Sequence, residues 1–448
     1  MQTTSQLNQI TAAENAAVVN SPYRDLFALN EQGKIHSVHH EEYDTTGLIF
    51  PNSIEVFPSN VVQQKDGRMM TVVYKLDTEY KFLYGSTIQS EVPHIELKDE
   101  YKGALRVRLV ENVAFKIAKE CRFGSSDTDT GILDPYSQCA LYDRMTPAGE
   151  RKALDRDLGA TTVCKHWTHT IEPRTLYAPQ QYGYALCGAR KPWPLYKQKK
   201  ASNVIHEYKF KLDIIKFIEM QRLDVDGPGG PRWVEHRPEP EHFSVLPVAF
   251  SQPRFFCKVS DVAPLEMTQR SKSKNTNDFY IFRMVKCEVS VTTKPGPGMS
   301  VSIPIEGPGL AQAIFFSMEN ITHRDLNKTL NFTTKYHEDE WSKSSISTCS
   351  MIVAKEHKFK DLPSQLLDTQ MNSRAFPSKG NKIGVHCHLF VPVIGTGNNG
   401  GGVPGEAGTV LKVTTDPSAP KGSVFKPRVR MLVTQRCTFE EDGTFAIV

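Results

Sequence analysis

Apolar and polar residues alternate with a period of two in segment after segment of this chain. Tyr208, Phe210, Leu212 and Ile214 alternate with Lys209, Lys211 and Asp213. Val285, Cys287, Val289 and Val291 alternate with Lys286, Glu288, Ser290 and Thr292. Near the end, Val429, Met431, Val433, Cys437 and Phe439 alternate with Arg428, Arg430, Thr434, Arg436 and Thr438. A period of two marks a strand with one face buried and the other wet or in contact with a partner. Many such strands, separated by Gly- and Pro-rich connections, predict β-sandwiches rather than an α/β enzyme.

Some strands break the rule by being apolar on both phases. Tyr280, Phe282 and Met284 oppose Ile281 and Val285, and Phe390 and Ile394 oppose Leu389 and Val393. Such strands are expected to be covered on both sides, by a partner sandwich, by long loops or by another subunit.

Turn signals order the rest. A hairpin is expected where Ile54, Val56 and Val61–Val62 precede Lys65-Asp66-Gly67-Arg68 and Met70–Leu76 follows, because Asp-Gly supplies the positive φ of a tight turn. Leu105, Val107 and Leu109 alternate with Arg106 and Arg108, and Val113, Phe115 and Ile117 read as a further strand. Residues 122–200 read mostly as connection, with one helix over Pro147–Leu158 that Thr146 caps and Gly159 ends. The polar run 268–278 is the domain linker, and the loop at 224–242 is the other place to divide the chain. The organisation expected is an N-terminal arm at 1–34, a first domain at 35–267 and a second at 279–448. A weak echo links the segments starting at Asn203 and Asn381, both loops that lead into alternating strands.

At 448 residues the chain is too long for one core, so composition agrees with two domains. Hydrophobic residues make up 39% and charged residues 23%, the balance of a soluble globular protein. A net charge of +4 gives no whole-chain basic excess that would point to nucleic acid. The 9 cysteines are scattered and form no Cys-x-x-Cys pair, which argues against a disulfide framework and a zinc ribbon. Cys287, Cys387 and Cys437 lie on apolar phases and are expected to be reduced core thiols. Met1–Asn20 has no Lys or Arg and no continuous apolar stretch, so no signal peptide and no membrane span is expected.

Candidate chemistry is sparse. Gly395–Gly402 is glycine-rich but lacks the Lys-Ser/Thr of a phosphate loop, and reads as an exposed turn. No nucleophile elbow, His-Glu-x-x-His or dinucleotide fingerprint occurs, and no catalytic or cofactor-binding residue is assigned. His386 and His388 share a strand face but lack a third ligand, so they are expected to be structural or interfacial rather than metal ligands. His36, His39 and His40 form a looser group of the same kind. Asn320, Asn327 and Asn331 begin three Asn-x-Thr sequons in a polar loop running to Glu340, which is expected to be exposed. A secreted protein would carry glycans there; without a signal peptide, chance in a Thr- and Asn-rich loop is the favoured reading. Basic clusters at Lys197–Lys200 and Arg270–Lys274 lack interleaved aromatics and read as solvated loops.

The order of features resembles the double jelly-roll major capsid proteins of nucleocytoplasmic large DNA viruses. Arg106-Val-Arg-Leu-Val-Glu-Asn-Val-Ala-Phe-Lys-Ile looks like paired strands of that family's first jelly roll. Pro192-Trp-Pro-Leu-Tyr and His206–Ile214 look like its proline-leucine segment leading into a long strand. Lys382–Pro392 and Pro420-Lys-Gly-Ser-Val, before Arg428–Thr438, are similar to its late strands and the turn between them. Cys121-Arg-Phe-Gly stands where the family has a double glycine followed by Ile-Asp. The resemblance implies an all-β chain of two eight-stranded antiparallel jelly rolls side by side, with short helices in loops. It also implies a homotrimer that forms a pseudo-hexagonal capsomer of an icosahedral virion shell, assembled in the host cytoplasm. Neighbouring capsomers, minor capsid and penton proteins, and an internal membrane on the side of the N-terminal arm are the implied partners. Sequence-specific nucleic acid is not among them, and no enzyme activity is implied. Two other classes share such scaffolds: a cupin-like enzyme or sugar-binding protein, and a double jelly-roll scaffold that shapes a viral membrane.

Overall fold

The computed structural model describes residues 27–29, 35–37, 52–76, 82–124, 129–145, 158–159, 166–180, 193–194, 205–227, 230–260, 278–287, 294–307, 310–333, 344–366, 384–390, 403–404, 408–439 and 445–447. Most of the N-terminal arm, most of the 268–278 linker, the helix expected over Pro147–Leu158, the Gly395–Gly402 turn and both basic clusters lie outside these residues. So do His39, His40, Cys164 and Cys187.

Sixteen antiparallel strands build two sandwiches. In the first half they are β1 (Asn52–Val56), β2 (Met69–Lys75), β3 (Phe82–Val92), β4 (Ala118–Gly124), β5 (Asp129–Leu133), β6 (Arg174–Gln180), β7 (Ile205–Lys211) and β8 (Arg254–Ser260). In the second they are β9 (Asp278–Lys286), β10 (Ser300–Ile305), β11 (Leu310–Asn320), β12 (Ile346–Val353), β13 (Glu356–Pro363), β14 (His386–Leu389), β15 (Thr409–Thr415) and β16 (Phe425–Phe439). The first sandwich has strand orders β1-β8-β3-β6 and β2-β7-β4-β5, and the second has β9-β16-β11-β14 and β10-β15-β12-β13. Adding eight to each label of the first pair of sheets gives the second pair. This is the jelly-roll permutation, twice in one chain.

Short strands supplement the sheets. Pro58–Gln63 extends the β2 sheet at its edge through the expected hairpin, where Gly67 has φ 70°. A three-stranded sheet of Leu105–Leu109, Ile218–Asp224 and Arg232–His236 stands outside the first sandwich. Among the described residues no sheet mixes strands from before and after residues 261–277.

The internal echo is corrected by the topology. The segment after Asn203 forms β7, the seventh strand of its sandwich, whereas His386–Leu389 forms β14, the sixth of the other. The duplication is real at the level of strand order, but β7 corresponds to β15.

Two further expectations change. Val113–Ile117 is a helical turn, not a strand, because Asn112 enters the left-handed region at φ 53° and breaks the extended chain. The chain resumes as β4 at Ala118. The stretch read as connection also holds an unexpected α-helix, Pro135–Met145. Asp134 caps it, accepting the backbone N–H of Ser137 at 2.8 Å, and Pro135 occupies the first helical position.

The second core contains Ile303, Ile314, Phe316, Met351, Leu411 and Val433. The first contains Tyr74, Phe123, Tyr208, Phe210 and Phe255, with the Phe255 ring tilted against Tyr74 at 4.7 Å. Cys121, Cys139, Cys257, Cys287, Cys349 and Cys387 are buried free thiols. Burial drives the Cys287 thiol up to about 12, so it packs as a small apolar group.

Gly384 shows how tightly the second half is folded against its own 320–333 loop. It has φ 75°, and a Cβ there would lie 2.5 Å from the carbonyl oxygen of Phe332. Gly384→Ala should therefore lower stability by more than the about 1–3 kcal/mol of the backbone conformation alone. Urea unfolding with an unchanged midpoint would contradict that packing.

Candidate functional site at the seam between the sandwiches

The strand β11 is buried along nearly its whole length, on both faces. Ile314, Phe316 and Met318 point into the second core, while Ala313 and Phe315 join the core of the first sandwich. A bulge between Ala311 and Ala313 sets this phase. The same division runs through its sheet. Val429, Met431 and Val433 of β16 belong to the second core, and Leu432 to the first. Met284 belongs to the first core while Val285 packs on the second; Leu389 packs on the first and Phe390 on the second. Those two opposed pairs were legible in the sequence as strands covered twice. The covering element is the partner sandwich.

Apolar contact alone would let the two bodies slide, since it has no preferred direction. A ring of polar contacts fixes their register. Arg430 reaches across from β16 to the Asp134 carboxylate and to Ser137 Oγ at 3.2 Å, with its guanidinium 5.2 Å from the Tyr136 ring. Tyr136 in turn receives a hydrogen bond from Ser317 Oγ at 3.2 Å and lies edge-on to Phe332 at 5.3 Å. Burial works to raise the Asp134 pKa, but Arg430 and the Ser137 hydrogen bonds prevail and hold it below the ordinary carboxylate range.

A second cluster sits on the three-stranded sheet. Arg108 Nε and Lys328 Nζ both donate to Glu219 Oε2, at 2.7 and 3.0 Å, and Lys328 lies 3.4 Å from Glu235. Arg106 is held between the Trp167 and Trp233 rings and donates to Gln221, whose amide donates to Glu235 at 3.0 Å. Lys328 is the one member of this network from the second half, and it is 6% exposed. Burial pushes the Glu219 pKa up, yet Lys328 and Arg108 outweigh it and the net shift is downward.

Lys328 belongs to the sequon loop, and here the expectation of exposure fails. Asn320 is 0% and Asn327 5% exposed. Asn327 donates both Nδ2 hydrogens to the first half, to the carbonyls of Ile215 and Ile218 at 2.7 Å each. Half-buried Lys116 donates to Thr329 O at 3.0 Å, and Phe332 enters the first core. The loop is a clasp. Its Asn-x-Thr pattern has a local cause: Asn320 Oδ1 accepts from Thr322 N–H and O–H, and Asn331 Oδ1 from those of Thr333. These are Asx turns, for which Asn and Thr are the natural residues. Glu319 anchors the loop base, accepting from Arg324 and Arg428 and from the Leu330 N–H at 3.2 Å. Residues 334–340 lie outside the described residues.

His386 and His388 are kept from the seam by strand phase. His386 Nε2 is 2.6 Å from Ser344 Oγ and its ring packs against Phe316. His388 lies edge-on to Phe359 and Phe390 at 5.1 Å, and burial, with Lys358 nearby, pushes its pKa down to about 4. Among the described residues no three His, Cys, Asp or Glu side chains gather as a metal site would require.

Sequence reading placed Arg108 and Arg430 on the wet or partner-contacting phase of their strands, and both are buried. It passed over the Asp134-Pro135 cap, although the same signature was used at Thr146-Pro147. Glu219 and Lys328 carry no local signal.

Two jelly rolls locked by one shared sheet make a recognisable whole. The fold is the double jelly roll. A Faustovirus major capsid protein has it, with a TM-score of 0.62 at 6% identity over 86% of this chain and 90% of that one. The quasi-atomic PBCV-1 virus capsid gives 0.58 at 8% identity over 89% and 96%. The Sputnik virophage gives 0.53 at 9% identity over 94% of each chain. No family pattern and no curated protein matches the double jelly roll described here by sequence.

Removing one side of a buried ion cluster strands the other. Lys328→Ala leaves Arg108 on Glu219 and takes the cation from Glu235, so it should cost about 1.5–3 kcal/mol, read by urea unfolding. Because the folded pKa of Glu219 and Asp134 is lowered, their contribution is present above the unfolded value of about 4 and is lost as pH falls through the folded one. Stability of the native protein should fall in that acid window, and less steeply in Lys328→Ala. A loss under 1 kcal/mol with an unchanged acid limb would contradict the cluster's role.

Proposed function

We propose that the chain is a major capsid protein whose two jelly rolls act as one rigid building block of an icosahedral virion shell. The observation that carries this is the seam: a fold shared with capsid proteins from three viral sources, locked internally by a buried sheet and a clasp. A shell protein must transmit load between neighbours without its domains yielding, and the seam supplies that. In this reading three copies close into a pseudo-hexagonal capsomer of six jelly rolls, and capsomers meet side by side.

The remaining assignments follow from the same reading. The chain divides at residues 268–278, a reading supported by the described sheets on either side, which share no strand. The N-terminal arm, 1–34, lies toward the interior and an underlying membrane. Minor capsid and penton proteins contact the capsomer edges, assembly takes place in the host cytoplasm, and the protein has no catalytic turnover of its own. Its nucleic-acid contacts, if present in the particle, are not sequence-specific. Asn320, Asn327 and Asn331 serve as turn and clasp residues rather than as glycan sites.

The experiment is the mass of the purified chain in solution. Light scattering should give a homotrimer, three times 50.4 kDa. A monodisperse monomer at micromolar concentration would remove the capsomer and restore the sugar-binding or enzymatic alternative.

A further inference from the structure

The seam has two sides, a sheet face and a sheet edge, and the repeated fold supplies each of them once more. Its face is the outer side of β9-β16-β11-β14. Its edge is the place where β5 runs beside β9 and the helix Pro135–Met145 begins. The first sandwich has the counterpart of the face in β1-β8-β3-β6, and the second has the counterpart of the edge in β13.

A bulge puts the two faces in register. Ala311 pairs Val433 and Ala313 pairs Leu432, so β11 holds an extra residue between them. Leu83 pairs Val259 and Gly85 pairs Lys258, so β3 holds an extra residue at the matching point. Counted from the bulge, Ala313, Ser317 and Arg430 of the seam correspond to Gly85, Gln89 and Phe256. The same count sets Arg254 at the place of Arg428 and Glu91 at that of Glu319, identities that played no part in finding the register. Ala313 is fully buried, whereas a Cβ on Gly85 would meet nothing within 4 Å. The edges align too. Leu133 pairs Cys121 and Leu362 pairs Cys349, and each chain turns helical at the second residue after the leucine, Pro135 and Ser364. Pro363, Gln365 and Leu366 therefore stand where Asp134, Tyr136 and Ser137 stand in the seam. Gln365 is exposed and Leu366 is 38% exposed.

We infer that Gln365 and Leu366 of one copy dock on Gln89 and Phe256 of the next, with β13 beside β1, so that the seam is repeated between chains. The inference rests on the capsomer reading above, and a face-to-edge contact of this heterologous kind is what closes a ring. In the seam Arg430 meets Ser137; between copies half-buried Phe256 meets Leu366, an apolar pair in the same place. In the seam Tyr136 meets Ser317; between copies Gln365 meets Gln89. Gln89 already donates its amide to Glu91 at 2.7 Å, so its carbonyl is the atom that accepts from Gln365. Charges surround this centre. Arg254 donates to Glu55 at 2.7 Å, Lys358 lies 3.4 Å from Glu356, Asp361 accepts from Ser350, and Lys258 and Lys360 are exposed. An apolar centre within a charged rim is the make-up of a contact between separately folded chains.

The test uses the full chain with Phe256→Cys and Leu366→Cys combined, oxidised with diamide and run on a denaturing gel without reductant. Covalent dimers and trimers are expected from the double variant and from neither single variant. The described native cysteines are buried, which keeps the background low. Phe256→Arg should leave a monomer by light scattering with the urea midpoint of a folded chain. Adding Pro363→Asp and Leu366→Ser rebuilds the Arg430–Asp134–Ser137 contact between copies and should restore the trimer; a triple variant that stays monomeric would contradict the register. A double cysteine variant that is trimeric but does not cross-link would overturn the proposal while leaving the capsomer reading intact. So would a Phe256→Arg chain that remains trimeric, or cross-linking by Phe256→Cys alone, which would show the face meeting itself. A wild-type chain that is monomeric would remove both.

Discussion

A β-sheet with apolar residues on both faces must be covered twice, and the sheet β9-β16-β11-β14 meets that constraint inside one chain. One face closes the second sandwich on its own core and the other is closed by the first sandwich. Each Phe or Leu so buried contributes about 1.5–3 kcal/mol over its exposed state. The rest of the seam depends on this. Once Phe315, Leu432 and Phe332 sit in the neighbouring core, polar groups around them lose water and must find partners. Arg430 finds Asp134, Lys328 finds Glu219, and Asn327 finds two backbone carbonyls. The apolar area holds the sandwiches together; the polar ring sets how they are turned.

How much of this the sequence revealed follows from the range of each signal. Strand alternation is a local signal, and β7 and β16 were legible from it, with β2 marked by its hairpin turn. The double-phase pattern at Met284/Val285 and Leu389/Phe390 was legible too, and it pointed to a covered sheet. Strand β13 was missed because Glu-His-Lys-Phe-Lys-Asp-Leu-Pro is an edge dressed in charge, which hides a strand from any hydrophobic pattern. Val113–Ile117 was misread because a single left-handed Asn112 decides between strand and helical turn. The clasp was misread for a different reason. Asn-x-Thr serves both a glycan and an Asx turn, and only the packing of Asn327 against Ile215 and Ile218 separates them.

The likeness to viral capsid proteins at 6–9% identity fits what the fold demands of its residues. Cores tolerate wide substitution when volume and pattern are kept. A jelly roll needs alternation, turns and a strand order, none of which fixes a residue. The seam adds long-range ion pairs, which leave no trace in a short motif.

The central claim is that the two sandwiches form one cooperative body, and native-state hydrogen exchange reads this directly. Backbone amides of β4 in the first sandwich and β11 in the second should open together, with the same free energy and the same denaturant dependence. Opening of β4 at low denaturant while β11 stays protected would show two independent domains. That result would contradict the seam as the interaction on which the structure depends.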